Sequence, residues 1–120
     1  MQATITHNQT GIEKLESQRT EILQEMENLR LELRSTAERS ADEADVDTYE
    51  RDKTWALIQR LERKLESIDR ALSNARSGTY GICDDCGDRI DPARLEVLPE
   101  ATLCLGCQRK VERRNSRRRF

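Results

Sequence analysis

The residues best equipped for chemistry are four cysteines. They occur as Cys83-x2-Cys86 and Cys104-x2-Cys107, with seventeen residues between the pairs. That spacing falls within the range expected of a structural zinc site. Two residues between thiolates let a tight knuckle present both sulfurs to one tetrahedral ion. Gly87 and Gly106 lie beside ligand cysteines, where knuckles often need unusual backbone angles. Four thiolates fill a tetrahedral ion and leave no open position, so the expected role is structural, with one zinc. A redox-active pair of CxxC motifs and two disulfides are the competing readings. Met1 is followed by polar residues, and no apolar run approaches the about 20 residues a membrane span needs. A cytoplasmic location is therefore expected, and disulfides are disfavoured there.

A second group is acidic. The stretch ADEADVD, Ala41 to Asp47, holds Asp42, Glu43, Asp45 and Asp47. Like charges this close repel, and capping a following helix needs one or two acids, not four. A third group is basic. Residues 108–120 contain Arg109, Lys110, Arg113, Arg114, Arg117, Arg118 and Arg119 against one acid, Glu112. Their net charge is +6, so the remainder of a chain whose total is -2 carries -8. Such asymmetry suits a partner of mixed charge or a nucleic-acid contact for the tail. His7 is the only histidine, precedes the expected first helix and reads as surface. No nucleophile-base pair, open metal position or phosphate-cradling glycine loop is apparent, so an enzyme is not expected.

Something must position these groups. Of 120 residues, 37% are charged, 35% hydrophobic and only 3% aromatic. That excludes a core large enough to enclose a substrate pocket and leaves either disorder or long helices with a narrow apolar seam. Periodicity decides for the helices. From Gly11 onward, Ile12, Leu15, Ile22, Met26, Leu29 and Leu33 recur in steps of three and four, with Arg19 filling the gap. Thr54, Ile58, Leu61, Leu65, Ile68, Leu72 and Ala75 repeat the pattern. Each run predicts a helix about 45 Å long.

The runs fit one another as an antiparallel coiled-coil hairpin. Ile12 faces Ala75, Leu15 faces Leu72, Ile22 faces Leu65, Met26 faces Leu61 and Leu29 faces Ile58; each pair of numbers sums to 87. This register puts the turn on the acidic stretch, with a tip near 40–48. Arg19 falls opposite Ile68, near Glu16 and Asp69. Trp55 and Leu57 flank the seam and are expected to pack against helix stems, whereas Leu31 points outward. Leu31 and Trp55 are candidate partner contacts.

The expected fold is thus mainly α: a hairpin over 1–77, then a four-cysteine module over 78–120 with a C-terminal helix and a basic tail. SGTYG, Ser77 to Gly81, breaks the second helix. RIDPARLEVLP between the cysteine pairs reads as a short β-hairpin, and a helix is expected from Leu105 to about Arg114. Zinc stands in for the core that so short a segment cannot build.

A helical hairpin with an acidic turn, followed by GTYGICDDCGDRIDPARLEVLPEATLCLGCQ, resembles the DksA/TraR family of bacterial transcription regulators. The likeness is strongest over Gly78 to Gln108 and extends by architecture to nearly the whole chain. It implies direct binding to RNA polymerase, without a DNA sequence requirement. It further implies a hairpin inserted in the secondary channel, an acidic tip near the catalytic region that changes open-complex lifetime, and a zinc module against the channel rim. The family's best-known tip reads Asp-x-x-Asp-x-Ala; here it is Asp42-x-x-Asp45-x-Asp47. The alarmone ppGpp, the signal of the stringent response, acts with some members through basic residues. The corresponding positions are Arg60, Lys64, Ser67 and Gln108, of which the first two are basic. Arg60, Lys64 and Arg109 are therefore candidate interface residues.

Three rivals remain distinguishable. A Gre-type cleavage factor also inserts an acidic-tipped hairpin but lacks this zinc module; cleavage of stalled transcripts separates the two. A DNA-binding zinc protein would use the basic tail, although duplex DNA repels the acidic hairpin, so direct DNA binding is not expected. A coiled-coil adaptor would dimerise through the seam, whereas the intramolecular hairpin predicts a monomer.

Overall fold

The computed structural model describes the backbone of residues 2–39 and 44–118 and the side chains of residues 10–35 and 48–117. Among the described residues four helices follow in order: α1 (Gln2–Arg39), α2 (Ala44–Arg76), α3 (Pro92–Val97) and α4 (Leu105–Arg118). Among the described residues there is no strand, only an isolated antiparallel bridge between Ile82 and Arg89. Among the described residues no helix is long and apolar enough to cross a membrane.

The long helices exceed their expected limits. α1 begins at Gln2, so His7 lies within it and not before it. Its side chain lies outside the described residues. α2 begins at Ala44, so the backbone of Asp45 and Asp47 belongs to its first turn. The expected turn over Ala41–Asp47 therefore does not extend through Ala44–Asp47, and its remainder lies outside the described residues. Acids in a first turn complement the positive end of the helix dipole, which explains why the helix runs into the acidic stretch. Asp42 and Glu43, and the side chains of Asp45 and Asp47, lie outside the described residues.

The chain divides into two compact units. One is Ser17–Glu66, the central lengths of α1 and α2. Its core is the predicted seam. Ile22, Met26 and Ile58 are buried, while Leu29, Leu33, Thr54, Leu61, Leu65 and the stem of Arg19 are half-buried. Arg30 Nη2 meets Glu62 Oε1 at 3.6 Å across the two helices. Both groups are about half exposed, so the pair contributes well under about 1 kcal/mol and the seam decides the pairing. Leu31 points outward, as expected, at 49% exposure. Trp55 and Leu57 do not pack as expected: they are 54% and 39% exposed. Two helices cover one stripe each, and these residues sit beside that stripe with no third element over them.

The other unit joins the chain up to Glu16 with the chain from Ser67 onward. Leu15, Ile68 and Leu72, three of the predicted seam residues, are buried there, as is Ala71. Beyond α2 the chain reverses through Gly78 and Gly81, both with φ near +80° (79° and 83°), where a side chain would be strained. Thr79 N bonds to Asn74 O at 2.8 Å and Gly78 N to Ala75 O at 3.2 Å, closing the end of α2.

Candidate metal centre

The two cysteine pairs are carried by different structures. Cys83 and Cys86 sit on a loop held by Gly87 N to Cys83 O at 3.0 Å and Cys83 N to Asp88 O at 2.8 Å. Gly87 has φ +78°, the angle its position in the knuckle demands. Cys104 and Cys107 straddle the start of α4, where Gln108 N bonds to Cys104 O at 2.9 Å. Gly106 lies inside that helix and has no positive φ, so the special angle expected of it is not used. The helix itself supplies the second knuckle, since its first turn already aims Cys107 N at Cys104 Sγ, 3.5 Å away. Asp84 N to Thr102 O, at 2.8 Å, ties the two halves together.

The segment between the pairs is not a hairpin. Residues 92–97 form α3, started by Pro92 at its first position and by Asp91, whose Oδ1 accepts from Ala93 N at 3.0 Å. Proline pre-sets the helical angle, and an N-cap aspartate satisfies an orphan donor; together these outweigh the β preference of the neighbouring residues. The one bridge that forms, Ile82 to Arg89, spans the first knuckle. Beneath the site lies a small core of Cys83, Ile90 and Cys107, flanked by Leu95, Leu103 and Cys104.

All four sulfurs lie within 4.8 Å of one another, and Cys86 Sγ is 3.7 Å from Cys104 Sγ. Sulfurs at tetrahedral corners about 2.3 Å from zinc are about 3.8 Å apart, so the donor set fits this ion. Protonation points the same way. Burial raises the Cys83 thiol, yet backbone hydrogen bonds from Cys86, Cys104 and Asp85 outweigh it and bring it down to about 6. Cys107 is pushed well up by its contact with Cys104, then by burial and by Cys83 and Cys86. Four clustered thiols cannot all ionise unless a cation sits among them. Zinc, when bound, supplies that charge and cross-links the knuckles; Cys83, Cys86, Cys104 and Cys107 would hold it.

Four supporting contacts were not foreseen from the sequence. Tyr80 Oη donates to Pro99 O at 3.1 Å. Burial, and then the nearby Glu100 carboxylate, raise its pKa, so it stays a donor. Its ring lies on Gly11 of α1: a β-carbon there would fall 2.7 Å from Tyr80 Oη and 3.0 Å from Cε1 and Cζ. Asp84 joins the first knuckle to α2, accepting from Asn74 Nδ2 at 2.9 Å and pairing with Arg70 Nε at 3.2 Å. A glycine in a helix interior, and a lone tyrosine beside a CxxC, were the available signals.

Gly11→Ala should therefore lower stability by roughly 1–3 kcal/mol through overpacking, although alanine is the better helix former by about 1 kcal/mol. In a Tyr80→Ala background the same change should become neutral or stabilising. Urea unfolding of the four proteins of this cycle checks the sign reversal.

Of the candidate interface residues, Leu31, Trp55, Arg60 and Lys64 are exposed on the Ser17–Glu66 unit. Arg109 is exposed on α4. Gln108 is engaged with Glu112 at 3.3 Å.

Residues 78–113 match the prokaryotic dksA/traR C4-type zinc finger. A curated relative from Caulobacter vibrioides, named RNA polymerase-binding transcription factor DksA, is 39% identical over 104 residues, covering 85% of this chain and 73% of the relative. The protein of that name from Salmonella typhimurium is 30% identical over 100 residues, covering 82% of this chain and 66% of the relative. The solved structure of transcription factor DksA2 from Pseudomonas aeruginosa superposes with a TM-score of 0.78 at 33% identity, covering 92% of this chain and 87% of that one. A four-cysteine centre with the geometry of a structural zinc, following two long helices in the chain and with relatives matched along most of its length, makes this chain a member of the DksA/TraR family.

Proposed function

We propose that the chain binds RNA polymerase directly and regulates transcription initiation, without catalysis of its own. The observation that carries this reading is the extent of the likeness. The match to the Caulobacter relative covers 85% of the chain, so it takes in much of the long helices as well as the zinc finger. In this reading residues 1–77 are a rod and residues 78–120 a docking module. The rod enters the secondary channel and brings Asp42, Glu43, Asp45 and Asp47 towards the polymerase active centre, while the zinc module rests at the rim. Carboxylates at a rod tip can meet basic side chains, backbone amides or a magnesium ion in a positively charged pore, and docking relieves their mutual repulsion. Exposed Leu31, Trp55, Arg60, Lys64 and Arg109 are the proposed contacts along the way. Arg60 and Lys64 are the residues through which ppGpp would act. The protein works as a cytoplasmic monomer.

The test compares wild type with Asp42→Asn/Asp45→Asn on purified core RNA polymerase and on open complexes. Both proteins should bind with affinities within about threefold, because rod and rim contacts survive. Only wild type should change open-complex lifetime. Wild type that fails to bind polymerase would sink the proposal. A double variant that acts like wild type would remove the tip from the mechanism.

A further inference from the structure

We propose that Asp84 and Asn74 are positioning residues that couple the metal centre to the end of α2, so that zinc orders residues 74–79 and the ordered segment in turn tightens the hold on zinc. The last turns of α2, Ser67–Arg76, belong to the same compact unit as the four cysteines. Asn74, within those turns, is held from two directions. Its backbone carbonyl accepts from Thr79 N at 2.8 Å and from Thr79 Oγ1 at 3.2 Å. Its side-chain Nδ2 donates to Asp84 Oδ1 at 2.9 Å. Asp84 directly follows the ligand Cys83. Its backbone N bonds to Thr102 O at 2.8 Å, just ahead of the ligand Cys104. One residue thus fastens the first knuckle, the approach to the second and the end of α2 to one another. Arg70 adds an ion pair to Asp84, but it is 70% exposed, so it contributes little. The Asp84 side chain is only 27% exposed, which makes its bond to half-buried Asn74 the stronger link.

The Asn74–Asp84 contact requires the first knuckle to be in place. The apolar core beneath the knuckles is small, and its central residues include two of the ligands, so zinc is what orders them. The contact therefore belongs to the loaded protein and is lost with the metal. Coupling of this kind is reciprocal: whatever the contact adds to the loaded state, it adds to zinc affinity. Asp84 cannot act as a direct support of a ligand, because a carboxylate has no proton to donate to a thiolate. Its charge opposes binding. Four thiolates around one zinc ion leave a net charge of about -2, which a carboxylate beside Cys83 repels. Charge alone predicts tighter zinc without Asp84, whereas positioning predicts weaker zinc, and the sign of the change separates the two. The inference rests on the zinc centre and not on the polymerase reading.

The experiment is zinc competition between the full chain and a chromogenic chelator, joined to hydrogen exchange read by mass spectrometry. Asp84→Ala should bind zinc about tenfold more weakly than wild type, the lower end of what outer partners of a metal site contribute. Asn74→Ala lies nine residues before the first ligand, at a helical position where alanine is well tolerated. It should weaken zinc by about five- to tenfold, since it removes the same contact from the other side. The double variant should be no more than about twofold weaker than Asp84→Ala, because one contact cannot be lost twice. Asp84→Asn keeps an acceptor for Asn74 and should stay within about threefold of wild type. In wild type, zinc should slow exchange across residues 74–79 by at least about tenfold. In zinc-saturated Asp84→Ala that slowing should fall below about threefold, while amides between Cys83 and Cys107 stay protected. Unchanged or tighter zinc in Asp84→Ala would overturn the proposal. So would wild-type affinity in Asn74→Ala, losses that multiply in the double variant, or exchange at 74–79 that ignores zinc in wild type. No polymerase is present in either measurement, so failure there leaves the initiation reading untouched.

Discussion

Cys83→Ser, or removal of zinc by a strong chelator, is expected to unfold residues 78–113 while most of the helical signal of α1 and α2 persists. The segment's own core consists of Cys83, Ile90 and Cys107 with three half-buried neighbours, and two of the three central residues are themselves zinc ligands. α3 buries no residue fully. So small an apolar core cannot offset the ordering of this segment. Zinc bound by zinc-finger peptides supplies an apparent 10–16 kcal/mol, roughly, at neutral pH. Losing it exceeds anything the remaining contacts return. Zinc content, far-UV circular dichroism and limited proteolysis together check the outcome. Cleavage should concentrate between Gly78 and Arg113. A protein that stays protease-resistant there without metal would show that the knuckles hold by hydrogen bonds alone.

Leu15→Ala is the second change with a large expected effect, a loss of about 2–5 kcal/mol. Leu15 is 0% exposed, and the same unit holds fully buried Ile68 and nearly buried Leu72. A paired helix surface has few ways to collapse around a vacated leucine, so the cavity persists. Against a total stability of about 5–15 kcal/mol, this removes a large fraction. Leu31→Ala, one face away on the same helix, should change stability by no more than about 0.5 kcal/mol, because Leu31 is half exposed. Urea unfolding followed at 222 nm gives both values. Equal losses would mean that the seam does not hold the hairpin.

The sequence alone determined the elements whose physics is periodic or local. Residues that must bury against a partner helix recur in steps of three and four, and every seam residue whose side chain is described, from Ile12 to Leu33 and Thr54 to Ala75, is buried or half-buried. The cysteine spacing determined the metal centre, because two residues between thiolates suit a knuckle whatever surrounds it. The acidic stretch was legible as a group, and its side chains remain a proposal resting on family likeness.

Tertiary structure decided the rest. α3 replaced a β-hairpin because Asp91 caps and Pro92 starts a helix, a choice made by two residues against the average preference of eleven. Trp55 and Leu57 stayed exposed because flank positions are covered only when a third element arrives. Gly11 showed its purpose only when Tyr80, sixty-nine residues later in the sequence, was found lying on it. Asp84 likewise became a link between knuckle and α2 only through Asn74 and Arg70. These contacts join residues that no period relates. Folding brings them together, and a linear pattern carries no record of which side chains will meet.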